Sequence, residues 1–142
     1  EVIDIKGDPS IAFDRAEDIL AEKADQVQGF VCLEALAGKE VADVLSRSKI
    51  AKTVIAMDAD EGTLEWIRKG VIAATIAQKP YTMAHFGVMA LDSLHHNKID
   101  LNAAHASDTH ALVPDVVNTG ATLVTKENVE KFIEQTKSAT GQ

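Results

Sequence analysis

Short apolar runs alternate along this chain with stretches of helical periodicity, and that alternation limits the fold more than any other feature. Val2–Lys6 reads as a short strand, and Gly7-Asp8-Pro9-Ser10 as a turn. Ala12, Ala16, Ile19 and Leu20 then share one face of a helix. Val27–Leu33 is a near-continuous apolar run, the pattern of a strand covered on both faces. Val41, Val44 and Leu45 mark a second helical face, and Thr53–Met57 another buried strand. Asp60 to Lys69 predicts a helix with acids at its start and Arg68-Lys69 at its end, a polarity that suits the helix dipole, and Gly70 stops it. Ala73–Ala77 is a fourth strand, and Ala84, Gly87, Val88, Leu91 and Leu94 place a long helix up to about His96. Asn97 to Pro114 is polar and irregular. Ala121–Val124 reads as a short strand, Val129, Phe132 and Ile133 as the inner face of a closing helix, and the tail after Thr136 as frayed. Strands interleaved with helices predict an α/β fold of three αβα layers, a parallel sheet with helices on both faces.

At 142 residues the chain has the length of one domain, long enough to bury a core. The net charge of -8 argues against nucleic acid, whose phosphates require clustered Lys and Arg, and favours neutral ligands over anions. No run approaches the ~20 apolar residues of a membrane span. The one cysteine, Cys32, lies in an apolar run without a neighbouring histidine or cation, so it reads as a small core residue.

Ligands of open α/β sheets sit at the carboxyl ends of the strands. Phe13, with Asp14 and Arg15, follows the first strand and its turn; Glu34 follows the second, Asp58 the third and Gln78 the fourth. Carboxylates accept from two adjacent hydroxyls, an amide both donates and accepts, and an aromatic ring covers the C–H face of a sugar, so this set suits a carbohydrate. Each position also has an ordinary reading. Asp58 is placed to cap the following helix, Glu34 to be a surface acid, Gln78 a solvated amide and Phe13 a core ring.

The order Val54-Ile55-Ala56-Met57-Asp58, Lys69-Gly70, Ala73-Ala74-Thr75-Ile76-Ala77-Gln78-Lys79-Pro80 resembles the C-terminal half of ribose-type periplasmic sugar-binding proteins of ABC transporters. Asp8-Pro9 with Phe13-Asp14-Arg15, and the closing run Val117 to Val129, resemble the same family, so the resemblance extends over nearly the whole chain. It implies a type I periplasmic binding fold of two lobes that close on a sugar or polyol without chemistry or cofactor. The closed form then engages a membrane permease. The implied setting is periplasmic or extracellular, with or without a lipid anchor. Carried over by position, Phe13 would stack on the sugar, Asp58 would grip two hydroxyls and Gln78 would lie near the hinge. Glu34 falls where ribose binders have asparagine, a departure that implies a ligand richer in donors than ribose. The segment Asn102–Leu112, with His105 and His110, is longer than in compact ribose binders.

By the same resemblance, residues 1–78 would form the C-terminal lobe without its first strand and helix. Residues 79–118 would be a helix and loop of the N-terminal lobe, and 119–142 the return strand and closing helix. Such a piece would expose apolar surface and pair with a missing N-terminal lobe or with a second copy of the chain. The alternative is the sensing domain of a lactose-repressor-type regulator, which shares the fold. Asp58-Ala59-Asp60-Glu61-Gly62-Thr63-Leu64 also resembles a phosphatase nucleophile motif, but Glu61 breaks its spacing. As a calcium loop the same stretch fails, with Gly62 fifth and Lys69 twelfth. The adjacent His95 and His96 point to different faces of a helix end, so no metal is expected there.

Overall fold

A computed structural model describes residues 1–96 and 116–140. The chain divides into two compact units, Glu1–Gln78 with Thr122–Gln142, and Lys79–Ala121. In the first unit, α1 (Pro9–Lys23) and a 3-10 turn (Ala24–Gln26) lead into β1 (Gly29–Val31). There follow α2 (Ala37–Ser48), β2 (Thr53–Met57), α3 (Glu61–Lys69) and β3 (Ala74–Ala77). In the second unit α4 spans Pro80–His96. The chain returns to the first unit with β4 (Thr122–Thr125) and α5 (Val129–Thr140).

The strands form one sheet in the order β1-β2-β3-β4. The first two pairings are parallel, with Val31 beside Ile55 and Ile55 beside Ala74. The third is antiparallel, with Ala77 beside Thr122. The sheet is therefore mixed, where the sequence pattern led us to expect all-parallel strands. The reason is topological: the chain leaves this unit just past Ala77 and re-enters at Thr122, at the same end of the sheet, so the returning strand must run backwards. An antiparallel edge strand on a parallel sheet is a common arrangement.

Local chemistry sets the helix ends. Asp8 caps α1 by accepting from the Ser10 amide at 2.9 Å, with Pro9 at the first helical position. Asp60 caps α3, its carboxylate accepting from the amides of Gly62 and Thr63 and from the Thr63 hydroxyl. Gly70 ends α3 at φ +77°, donating to the carbonyls of Ile67 and Trp66. The bidentate Arg68–Glu130 pair, at 2.7 and 2.6 Å, ties α3 to α5 across an exposed surface.

The register sorts the sheet's side chains onto two faces. Cys32, Val54, Ala56, Thr75, Ala77 and Val124 share one face, and all are buried. Over that face α1, α2, α3 and α5 touch in that order as a single layer. Leu45, Ile67, Ile72 and Val129 fill the space beneath. Each such buried aliphatic contributes about 1.5–3 kcal/mol relative to exposure. The opposite face carries Val31, Ile76 and Leu123, which are exposed. The chain is α/β and incomplete, as the sequence implies, but within this unit the helices cover one face of the sheet. In α4, Tyr81, Val88 and Leu91 are exposed and no residue is buried.

Among the described residues Val2–Lys6, expected as a strand, joins no ladder; its bonds are local, the turn bond from the Asp8 amide to the Ile5 carbonyl at 2.8 Å and the Lys6 amide donating to the Asp4 carboxylate at 2.9 Å. The segment Asn97–Pro114, read from the sequence as polar and irregular, lies outside the described residues together with its His105 and His110.

Three outcomes are expected from this packing. A Cβ on Gly38 would stand 2.7 Å from that of Ala56, so α2 lies directly on β2 with no room for a side chain. Gly38→Val should lower stability by about 1–3 kcal/mol in urea unfolding; an unchanged midpoint would show that α2 slides freely on the sheet. Asp60→Ala should cost about 1–2 kcal/mol through loss of the α3 cap, measured the same way. Burial pushes the Cys32 thiol from 9.0 up to about 11. The unfolded chain thus ionises first, and stability should fall as pH rises from about 9 to about 11. The folded chain should resist iodoacetamide at pH 8, and rapid alkylation there would contradict the burial.

Candidate functional site

At the carboxyl end of β2 the backbone turns sharply at Asp58, whose φ is +66°. Among side-chain-bearing residues, Asp and Asn enter this left-handed region most readily, at about 1–2 kcal/mol. Neighbouring β3 holds both backbone groups of Asp58. Its N–H donates to the Ile76 carbonyl at 3.0 Å, and its carbonyl accepts from the Thr75 hydroxyl at 2.6 Å. Thr75 is fully buried, so that hydroxyl has a fixed position. Gln78, just past the end of β3, donates from Nε2 to Asp58 Oδ1 at 2.9 Å. Two residues distant in sequence are thereby joined at one rim of the sheet, because β2 and β3 are parallel neighbours that end together.

The structure removes one ordinary reading of Asp58. The cap of α3 is Asp60, so the Asp58 carboxylate is not consumed by a helix end. Asp58 is half-buried and Gln78 exposed. Among the described residues none bonds to Asp58 Oδ2. The pair therefore offers a carboxylate oxygen as acceptor and an amide oxygen beside it, both of which match neutral hydroxyl donors.

Glu34 lies beyond β1, exposed, with its backbone carbonyl accepting from Ala37 at 3.2 Å. Its carboxylate stands over the turn at Gly7, where an added Cβ would come 4.0 Å from Oε2. Phe13 is half-buried in the first turns of α1, with the Arg47 guanidinium of α2 5.4 Å from its ring centroid. Among the described residues, no hydrogen bond or ring contact joins Phe13 or Glu34 to the Asp58–Gln78 pair. The sequence therefore named four positions, of which direct bonding unites two.

Two contributors escaped the sequence reading. Thr75 anchors Asp58 from below; the signal available was a hydroxyl at an inward position of an apolar strand. Arg47 on the ring of Phe13 has no sequence signal, because their approach depends on how α1 lies against α2. His96 Nδ1 bonds the Asp92 carbonyl at 3.0 Å, an ordinary helix-end contact. Among the described residues, no cluster of His, Cys, Asp or Glu is placed to hold a metal ion.

Solved structures share this architecture. A sugar-binding protein of a sugar ABC transporter from Bacillus halodurans is 31% identical, with a TM-score of 0.69 over 93% of this chain and 46% of its own. An arabinose-binding protein from Geobacillus stearothermophilus is 33% identical, with a TM-score of 0.69 over 89% of this chain and 42% of its own. An ABC transporter solute-binding protein from Agrobacterium vitis with bound D-fucose has a TM-score of 0.74 at 22% identity, a likeness of fold. The chain thus spans less than half the length of these relatives. No curated protein matches the sequence. The profile of the periplasmic binding protein domain matches residues 1–98, more than half of the chain, and the chain belongs to that family.

Proposed function

We propose that this chain is part of the substrate-binding component of an ABC-type sugar importer, which captures a monosaccharide or polyol between two lobes. The observation that carries this reading is the Asp58–Gln78 pair: a carboxylate turned out of the sheet by a left-handed residue, braced through its backbone and oriented by an amide. Bracing keeps the acceptor aimed before the ligand arrives, so less ordering entropy is lost on binding. In this reading Asp58 grips two hydroxyls, Gln78 orients it and contacts the sugar, Glu34 accepts from a further hydroxyl, and Phe13 covers an apolar sugar face. Phe13 would have to exchange its Arg47 contact for the ligand. The unit Glu1–Gln78 with Thr122–Gln142 would be the C-terminal lobe. Lys79–Ala121 would belong with the N-terminal lobe, and closure of the two would present a surface to a membrane permease. The protein would act without catalysis, in the periplasm or outside the cell. Support comes from the membership of the family, from the sugar-binding roles of the two relatives above 30% identity, and from an acidic chain suited to a neutral ligand.

The test is nuclear magnetic resonance titration of the isotope-labelled chain with arabinose, ribose, galactose and ribitol. Saturable shifts are expected at the amides of Asp58, Gln78 and Glu34 with at least one of these. Asp58→Ala should weaken that binding by about 2 kcal/mol, roughly thirtyfold. Unchanged affinity in a variant with an intact circular dichroism spectrum would remove Asp58 from the site, and shifts confined to another surface would overturn the reading.

A further inference from the structure

On one side the sheet ends at β4, which pairs with β3 alone. Successive residues of a strand turn their main-chain groups to opposite sides. Ile76 faces β2, since its carbonyl accepts from the Asp58 amide at 3.0 Å. Thr75 and Ala77 therefore face β4, and their partners Val124 and Thr122 face back to β3. That leaves the N–H and C=O groups of Leu123 and Thr125 turned to the outer edge. The strand they belong to, Thr-Leu-Val-Thr, is uncharged and rich in β-branched residues, the kind that another strand readily extends.

Asn128 lies along that edge. Just past β4 the chain turns, and the Asn128 amide donates to the Thr125 carbonyl at 3.2 Å. The Asn128 side chain folds back beside the strand. Its Oδ1 accepts from the Thr125 amide at 2.8 Å, and its Nδ2 donates to the Leu123 carbonyl at 2.9 Å. A carboxamide carries the acceptor and the donor of a peptide group, so it stands in for the peptide of a neighbouring strand. Asn128 also directly precedes α5, where an asparagine side chain ordinarily accepts from the first amides of the helix. Here that side chain is committed to the strand instead. The Thr125 hydroxyl is held as well, donating to the Glu127 carboxylate.

We infer that Asn128 is a built-in block against pairing of β4 with the β4 of a second copy of this chain. A second copy is singled out by symmetry, because an antiparallel strand can face itself across a two-fold axis. With the axis at Val124, Leu123 of one copy opposes Thr125 of the other, and each such pair exchanges two main-chain bonds. Each strand would contribute the N–H and C=O of Leu123 and of Thr125. Asn128 already holds the Leu123 carbonyl and both groups of Thr125, so among the described residues only the Leu123 amide is left. Leu123 is 58% exposed, and cross-strand contact would cover it, so the strand favours pairing once the block is removed.

The test is Asn128→Ala in the whole chain, followed by amide hydrogen exchange and sedimentation. On raising the protein from about 10 µM to about 1 mM, exchange at Leu123 should slow by about tenfold or more in the variant, together with formation of a dimer. In the unaltered chain exchange at Leu123 should be independent of concentration. Asn128→Ser keeps a favoured residue before α5 but is too short to span both groups, so it should behave as the alanine variant does and serves if that variant does not fold. Adding Leu123→Lys, a charge of the kind that guards natural edges, should abolish the effect. Concentration-independent exchange at Leu123 in the folded variants, concentration-dependent protection of Leu123 in the unaltered chain, or protection that survives Leu123→Lys would each overturn the inference.

Discussion

The pairing of β2 with β3 is the contact on which the rest depends. It joins the two most buried strands, brings Val54, Ala56 and Thr75 under the helical layer, and sets the register that places Asp58 beside Ile76 and Gln78. A one-residue slip would turn Thr75 to the open face and withdraw its hydroxyl from the Asp58 carbonyl. The site and the core thus share one ladder. The close seat of Gly38 on Ala56 reinforces it by pressing α2 onto β2 without an intervening side chain.

The same sheet is finished on one side only. Its covered face is closed by four contacting helices with small or branched residues beneath them. Its other face shows Val31, Ile76 and Leu123, and its β1 edge offers unpaired backbone. Exposed apolar surface and an unblunted edge strand are features that proteins ordinarily cover. Both lie in the unit that also holds the Asp58–Gln78 pair.

Much of this was legible in the chain. The apolar runs at Thr53–Met57 and Ala73–Ala77, the turn at Gly7-Asp8-Pro9-Ser10, the helix stop at Gly70, and the polar residue following each strand are local signals with local causes. The fate of Val2–Lys6 was not legible, because a strand exists only with a neighbour and the sequence does not state which neighbours are present. The direction of β4 was equally hidden, since it depends on where the chain re-enters the sheet.

By itself the sequence determined the class of fold, the order of the elements from α1 onward, the acidic character that suits neutral ligands, and the placement of Glu34, Asp58 and Gln78 after strands. Those follow from periodicity and residue chemistry within a few positions of one another. Only the tertiary structure decided that Asp60 rather than Asp58 caps α3, that Gln78 bonds Asp58, and that Phe13 rests against Arg47. The last two are relations between segments far apart in the chain, set by register and helix packing, which no local pattern encodes; the cap is local, but only the extended backbone at Asp60 shows which aspartate provides it.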